Sequence, residues 1–481
     1  MTDTPRHVVV LGAGVAGLAA AWHLLELRPN WQVTVIEEAE EPGGLASTWQ
    51  LGQFSADLGP HRVYTELPEI KALLPDLIGQ GQSLTVERHS EILINNHFYR
   101  YPIQATELLR HMGPARMAQF AAGMATGKLQ SLSGKPPADY REAMTRAFGS
   151  GVYDMIIGPY TEKVWKAPPE ELSEEIARVR VSAGNATRLM SQWFKRGNTE
   201  QPRPTSLKNF TYVKGGVQGI VASLRQRIEA AGGTLRTGQI VTALQGHNHH
   251  VTHVPTHACS PPLPVDAVIS TVPLPDLAEM VTNGDLSRKN RPAAMQAAHT
   301  LEFIGMILVG VIVNRPQVTP NSWIYFPEKH LCFNRAYEPG NFDASMKTSD
   351  KSMLVFEITA RWNDDLWKRS NEEIIADVVR DAISTGVFTA EEIHQTAARR
   401  LPHAYPLYTK DFREHLDTVC DYLRPVENLI TTGRQGLFNH NNMDHSMLMG
   451  IRAAEVIAQN PVGAANWYDN LQQFSHFRIV D

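Results

Sequence analysis

Gly12-Ala13-Gly14-Val15-Ala16-Gly17 places three glycines at the spacing that lets a backbone close around a phosphate. The β-branched run His7-Val8-Val9-Val10-Leu11 precedes it, and an apolar helical segment, Leu18 to Leu25, follows. In that setting Gly12 permits the tight turn, Gly14 lets the main chain approach a pyrophosphate, and Gly17 lets helix and strand pack closely. Ala16 lies in the same turn, where free helix N–H groups and the helix dipole favour anionic oxygens. A second strand, Gln32 to Ile36, ends at Glu37, about twenty-five residues after Gly12. A carboxylate there accepts hydrogen bonds from the hydroxyls of a ribose. Glu38, Glu40 and Glu41 beside it repel a 2′-phosphate, so the dinucleotide expected here lacks one.

Which dinucleotide follows from segments farther along. Pro42-Gly43-Gly44-Leu45-Ala46-Ser47 and Asp57-Leu58-Gly59-Pro60-His61 resemble the extended FAD signature of the superfamily of amine oxidases, phytoene desaturases and UDP-galactopyranose mutases. The resemblance implies FAD, with Gly43, Gly44 and Leu45 running along the flavin and Gly59, Pro60 and His61 following close to it. Gly215-Gly216, a helix to Ala231 and Gly232 to Arg236 resemble the second half of that superfamily's nucleotide domain. Val241 matches the position whose backbone contacts adenine there. Asp266 to Pro273, which includes Thr271, resembles the strand that returns to the cofactor. Leu429 to Arg434 reads as a last strand with a glycine turn at Gly433. Asn442, Met443 and Asp444 then open a helix from about His445 to Ala458, whose dipole favours negative charge at the flavin pyrimidine. No Cys or His interrupts Gly43-Gly44-Leu45-Ala46, so the FAD is expected to be non-covalent.

The substrate side carries two resemblances. Tyr160-Thr161-Glu162-Lys163-Val164-Trp165, followed by Pro168-Pro169-Glu170-Glu171-Leu172, resembles a segment of the mutases, as do Gly59-Pro60-His61 and Asn95 to Pro102. Phe210-Thr211-Tyr212-Val213-Lys214-Gly215-Gly216 is more like protoporphyrinogen oxidases and desaturases. Phe438, His440 and Asn441 stand where the mutases use tyrosines to hold a sugar diphosphate. The balance implies an FAD-dependent oxidoreductase of the protoporphyrinogen oxidase and amine oxidase type, moving hydride from an organic substrate to flavin N5. A mutase-like isomerase acting on a nucleotide sugar is the alternative, and a non-catalytic flavin-bound partner protein the second.

Candidate catalytic residues are His61, Tyr160, Lys163, Trp165, Arg335 and His440. His61 either faces the flavin or is a hydrogen-bonded structural histidine. Tyr160, Lys163 and Trp165 line a pocket or pack a core, since Thr161 and Trp165 share a helix face. Arg335 binds an anionic substrate group or lies on the surface. Arg434 pairs its fork with pyrophosphate oxygens or holds the fold. His440 and Asn442 flank the same turn and reach toward flavin or substrate. His247, His249, His250, His253 and His257, with Cys259 nearby, bracket Val251 and Val254 as a hairpin does, and no metal is expected. No Ser-His-Asp set or carboxylate pair supports hydrolysis.

These residues need an α/β scaffold. The expected architecture is a discontinuous Rossmann-like FAD-binding domain in three parts (1–64, 207–283 and 425–481). A helical cap spans 65–206 and a mixed-sheet substrate domain spans 284–424, with a helix near Glu372 to Ile383. With 481 residues and 43% hydrophobic content, a large core is available. A net charge of −5 argues against a nucleic-acid partner and leaves a small-molecule substrate. Phe303 to Val313 is the longest apolar run, too short to cross a bilayer and rich in Ile and Val, so it reads as a buried strand. Peripheral membrane contact and oligomeric state stay open. Three cysteines without a CxxC pair, and no signal-peptide pattern in the opening residues, suit the cytoplasm.

Overall fold

A computed structural model of the chain describes residues 4–101, 103, 105–132, 134–180, 209–256 and 261–479. The β-branched run His7–Leu11 sits third in a five-stranded parallel sheet, flanked by Ala267–Ser270 and Gln32–Ile36, with Leu429–Thr431 and Thr234–Arg236 at the edges. Val8, Val9 and Val10 have no exposed surface, as a strand covered on both faces requires. The first helix, Val15–Leu27, is apolar and buried from Val15 to Trp22 and again at Leu24 and Leu25, with Glu26 and Leu27 exposed at its end. The C-terminal helix, Met443–Gln459, crosses it so closely that a Cβ on Gly450 would lie 2.0 Å from the Ala16 carbonyl oxygen. Strands from three distant parts of the sequence thus form one nucleotide sheet.

The second sheet has seven strands and is mixed. Its order runs Ile393–Pro406, Phe303–Val313, Ser352–Arg361, Arg335–Tyr337, Trp323–Tyr325, Ser90–Ile94 and His97–Arg100. All pairings are antiparallel except that of Trp323–Tyr325 with Ser90–Ile94. Phe303–Val313 is buried along its whole length because both faces are covered. Ile307, Val309, Val311 and Val313 pack on Ile374, Val378 and Ala382 of the helix Asn371–Ser384. Ile304, Met306, Leu308 and Ile312 face the main core, from which Met306 reaches the cavity described below.

Residues 65–206 are not helical throughout. Ser83–Glu87 pairs with Asn209–Val213, and Ser90–Ile94 with His97–Arg100 forms a hairpin that extends the substrate sheet. Asn95 and Asn96 both adopt positive φ, the turn that matches the twist of paired strands, and this Asn-Asn signal between apolar runs outweighs the helical pattern around it. The helices Ala105–Ser131, Tyr140–Phe148 and Gly158–Trp165 then build the cap. The histidine-rich stretch folds as strands Gln245–His247 and His250–Val254, with Asn248 and His249 in the turn. His249 Nδ1 meets the Leu286 carbonyl at 2.9 Å. His257 and Cys259 lie outside the described residues. Among the described residues no helix is long and apolar enough to cross a membrane.

Candidate functional site

One cavity of about 760 Å³ runs from the glycine turn, past His61, to a chamber under the cap. Gly12 has a φ of +95°, and a Cβ there would lie 2.3 Å from Thr271 Oγ1, so the turn admits no side chain. Thr271 is itself fixed by donating to the Leu11 carbonyl at 2.9 Å. A Cβ on Gly17 would lie 2.0 Å from the Gly12 carbonyl oxygen, so Gly17 serves helix–turn packing and does not line the cavity. Gly14 differs from both. It caps the first helix with φ −70°, and a Cβ would meet nothing nearer than the Gly43 carbonyl at 4.0 Å. The protein has room for a side chain there and leaves the space to the cavity.

The second glycine loop is fastened to the first by Gly43 N–H donating to the Ala13 carbonyl at 2.9 Å. Glu37 accepts from Ala13 N–H at 2.6 Å and from Ala39 N–H at 3.0 Å. These bonds hold its carboxylate at the cavity edge and occupy one acceptor position on each oxygen. Glu38, Val241, Gln239 and Asp276 complete that end. Burial, followed by repulsion from Glu279 and Glu38, pushes the Asp276 carboxyl up to about 6. No side chain caps the first helix, so its N–H groups and dipole are left to the part of the cavity lined by Gly12, Gly14, Gly43 and Gly44. A pyrophosphate flanked by ribose and adenine fits this end: anionic oxygens at the helix end, hydroxyls at Glu37, a flat base beside Val241.

Beyond Gly59 and Pro60 the lining changes to side chains. His61 lines the cavity with Nδ1 buried and no hydrogen-bond partner among the described residues. Burial, then the nearby positive charges of Arg434 and Arg335, push its imidazole down to about 4, so it is neutral at pH 7. Arg335 is not a surface residue. Its fork donates to Glu357, Nε to Oε2 at 2.8 Å and Nη2 to Oε1 at 2.9 Å, and Glu357 is only 1% exposed. Arg434 donates to the carbonyls of Asn441 and Ala404 and lies 5.0 Å from the centre of the Tyr405 ring. Its fork therefore ties the turn at Asn441 to the end of the strand Ile393–Pro406 beside the cavity. The ring of His440 stacks on Tyr405 at 5.4 Å and meets Trp165 at 5.6 Å. Tyr160 stands edge-on to Tyr325 at 5.7 Å.

The cavity thus brings together Gly12, Gly14, Ala16, Glu37, Glu38, Gly43, Gly44, Leu45, Gly59, Pro60, Val241, Thr271, Gly433, Arg434, Asn442 and Met443 on the cofactor side, and His61, Tyr160, Trp165, Arg335 and His440 on the other. Two of the remaining candidates turn away. Lys163 donates to the carbonyls of Phe326 at 2.8 Å and Glu328 at 2.6 Å, behind the wall, and burial brings its ammonium down to about 7. On its helix, Tyr160, Thr161, Val164 and Trp165 share the face toward the cavity and Lys163 takes the opposite one. Asp444 also lies off the lining, whereas Asn442, Met443 and Ser446 contribute to it. Its carboxylate sits 3.5 Å from His445 Nδ1, on the other side of the first helical turn. Arg62, Arg88, Tyr101, Tyr325 and Tyr405 line the cavity too. Of these only Tyr101 falls in a segment with a resemblance, Asn95 to Pro102, and none was singled out, because each comes from a strand end or turn that only the folded sheet brings to the chamber.

A model of the family described as flavin containing amine oxidoreductase matches residues 15–458. The chain is 27% identical over 303 residues to phytoene dehydrogenase of Streptomyces griseus, covering 56% of this chain and 54% of that protein. It is 44% identical over 66 residues to an L-amino acid oxidase of Crotalus durissus cumanensis, covering 14% and 13% of the two chains. The chain therefore spans about half the length of the first of these relatives and much less of the second. In fold it is similar to a reduced UDP-galactopyranose mutase, with a TM-score of 0.78 over 97% of this chain and 98% of that one at 21% identity.

Proposed function

The chain belongs to the family of flavin-containing amine oxidoreductases, and on that premise we propose that it binds FAD non-covalently and oxidises a small organic molecule in the chamber beyond His61. The observation that carries this is the single cavity leading from the Gly12–Gly17 turn to an aromatic chamber. Such a shape seats a dinucleotide and a substrate end to end, within reach of each other. A flavin supplies the hydride acceptor, so the chain's residues have to position, exclude water and manage charge.

Gly12, Gly14, Gly43 and Gly44 with the first helix would bind the pyrophosphate, Glu37 the ribose, and the backbone at Val241 the adenine. Tyr405 and His440 stack and Trp165 packs its ring at a steep angle to both, a cluster that would exclude water beside the substrate. His61 is neutral, so its ring offers one donor and one acceptor nitrogen to a substrate O–H or N–H without adding charge at the reacting carbon. A cytoplasmic location accords with the free thiols of Cys332 and Cys420.

The mutase-like fold keeps a redox-neutral alternative in play. Against it, Phe438 is fully buried against Phe303 and Tyr408, and Arg335 is already neutralised by Glu357, so neither position supports a diphosphate. Acid precipitation of the purified protein tests the cofactor assignment. Released FAD with a colourless pellet is expected; released FMN, or flavin retained in the pellet, would overturn it.

A further inference from the structure

Beyond His61 the floor of the chamber is a row across the substrate sheet. Arg335 pairs in register with Tyr325, Tyr325 pairs with Ile92, and all three line the cavity. Neighbouring strands lie about 4.8 Å apart, so Ile92 is roughly 10 Å from Arg335. Arg88 precedes that outer strand and lines the same end. Its guanidinium carbon stands 5.1 Å from the centre of the Trp323 ring and 6.0 Å from that of Tyr101. Tyr101 is 41% exposed, so this is where the chamber meets solvent.

Arg88 differs from Arg335 and Arg434 in what its fork meets. Arg335 is matched by Glu357, and Arg434 by two carbonyls. Arg88 Nε and Nη1 are buried with no acceptor among the described residues. The adjacent carboxylates face elsewhere: Glu87 lies 3.7 Å from His89, and Glu91 accepts from Asn321 at 2.8 Å. The acidic residues of the cavity, Glu37, Glu38 and Asp276, belong to the nucleotide end. A guanidinium cannot shed its proton, and leaving its donors buried and unsatisfied is costly. A ligand that brings its own acceptor removes that cost.

We propose that Arg88 receives an anionic group of the substrate, a carboxylate or a phosphate, at the solvent end of the row that starts at Arg335, with the carbon to be oxidised farther in, toward His61. The substrate class is therefore an acid whose apolar or aromatic body lies across Tyr325 and Ile92. The position of the reacting carbon rests on the oxidoreductase reading above; the anion site does not. Charge-assisted bonds to a planar fork give both affinity and orientation, and the flanking rings keep the fork in place.

The test is calorimetric titration of the flavin-loaded enzyme with phenylbutyrate, phenylbutyl phosphate, phenylbutanol and phenylbutylamine. At least one acid is expected to bind at least about tenfold more tightly than the alcohol, and whichever acid is tighter identifies the group. Arg88→Gln should abolish that preference and leave the alcohol unchanged. Arg88→Lys keeps charge but not the fork and should reduce the preference severalfold; it serves as the comparison should Arg88→Gln not fold. Acids that bind no better than the alcohol, an amine that binds best, or a preference that survives both substitutions would overturn the proposal. Binding is read without turnover, so a flavin that no substrate bleaches would refute the oxidoreductase reading and leave this result interpretable.

Discussion

At the nucleotide end the cavity is walled by backbone: glycine turns, a helix N-terminus and one carboxylate held by main-chain N–H groups. At the substrate end it is walled by large side chains, and those come from the cap (Tyr160, Trp165), the substrate sheet (Tyr325, Arg335, Tyr405) and the turn before the C-terminal helix (His440). The first kind of wall recognises what every dinucleotide shares, phosphate and ribose. The second is specific to one substrate shape and can change without disturbing the fold. A substitution at the nucleotide end should therefore act through cofactor occupancy, and one at the substrate end through stability, charge or binding.

The largest effect is expected at Gly12. Gly12→Val drives a side chain into Thr271 at a positive φ, and the protein should accumulate neither flavin nor a cooperative unfolding transition, as followed by visible absorbance and calorimetry. Gly14→Ala sharpens the comparison, because the new methyl has room in the protein and none beside a pyrophosphate. It should unfold at the wild-type temperature when flavin-free yet bind FAD more weakly by a factor of at least about ten. Wild-type affinity would mean that the pyrophosphate lies elsewhere.

At the other end, Arg335→Met strands the buried Glu357 carboxylate and should cost about 3–5 kcal/mol in urea unfolding, with Arg335→Met/Glu357→Gln recovering most of it. His61 acts through pH. Its folded value of about 4 lies below the unfolded 6.5, so the unfolded chain takes up the proton first. Stability is complete above 6.5 and falls as pH drops toward 4, by something on the order of 2–3 kcal/mol. His61→Gln should flatten that window. The smallest effect concerns Lys163, which bonds behind the wall. Lys163→Met should lower stability by roughly 1–3 kcal/mol through its two abandoned carbonyls and leave turnover nearly unchanged.

The same contrast explains what was legible in the sequence. The nucleotide end is local: Gly12, Gly14, Gly17 and Glu37 are close in sequence, and each spacing follows from backbone geometry. The strand Ala267–Ser270 was readable through the resemblance of Asp266 to Pro273 to a strand that returns to the cofactor, and Leu429–Thr431 through the glycine turn at Gly433 that follows it. At the substrate end, helix periodicity itself sets Lys163, two residues before Trp165 and roughly 200° around the axis, on the opposite face; the resemblance of Tyr160 to Trp165 to the mutase segment grouped it with the pocket residues instead. Arg335 looked like a surface residue because its partner, Glu357, is twenty-two positions on and meets it only by strand pairing. The hairpin at Asn95–Asn96 did carry a signal, two asparagines between apolar runs, which the surrounding helical pattern obscured.

The most direct test of the central claim is an anaerobic half-reaction. The purified, flavin-loaded enzyme is mixed in turn with amines, porphyrinogens and polyenes, those bearing an acidic group first, while flavin absorbance and product are followed together. Net oxidation on a flavin seated in this cavity predicts that one class bleaches the flavin mole for mole with oxidised product, and that air restores the colour. Flavin that stays oxidised across the whole panel, with UDP-galactopyranose converted to the furanose only after dithionite reduction, would contradict it.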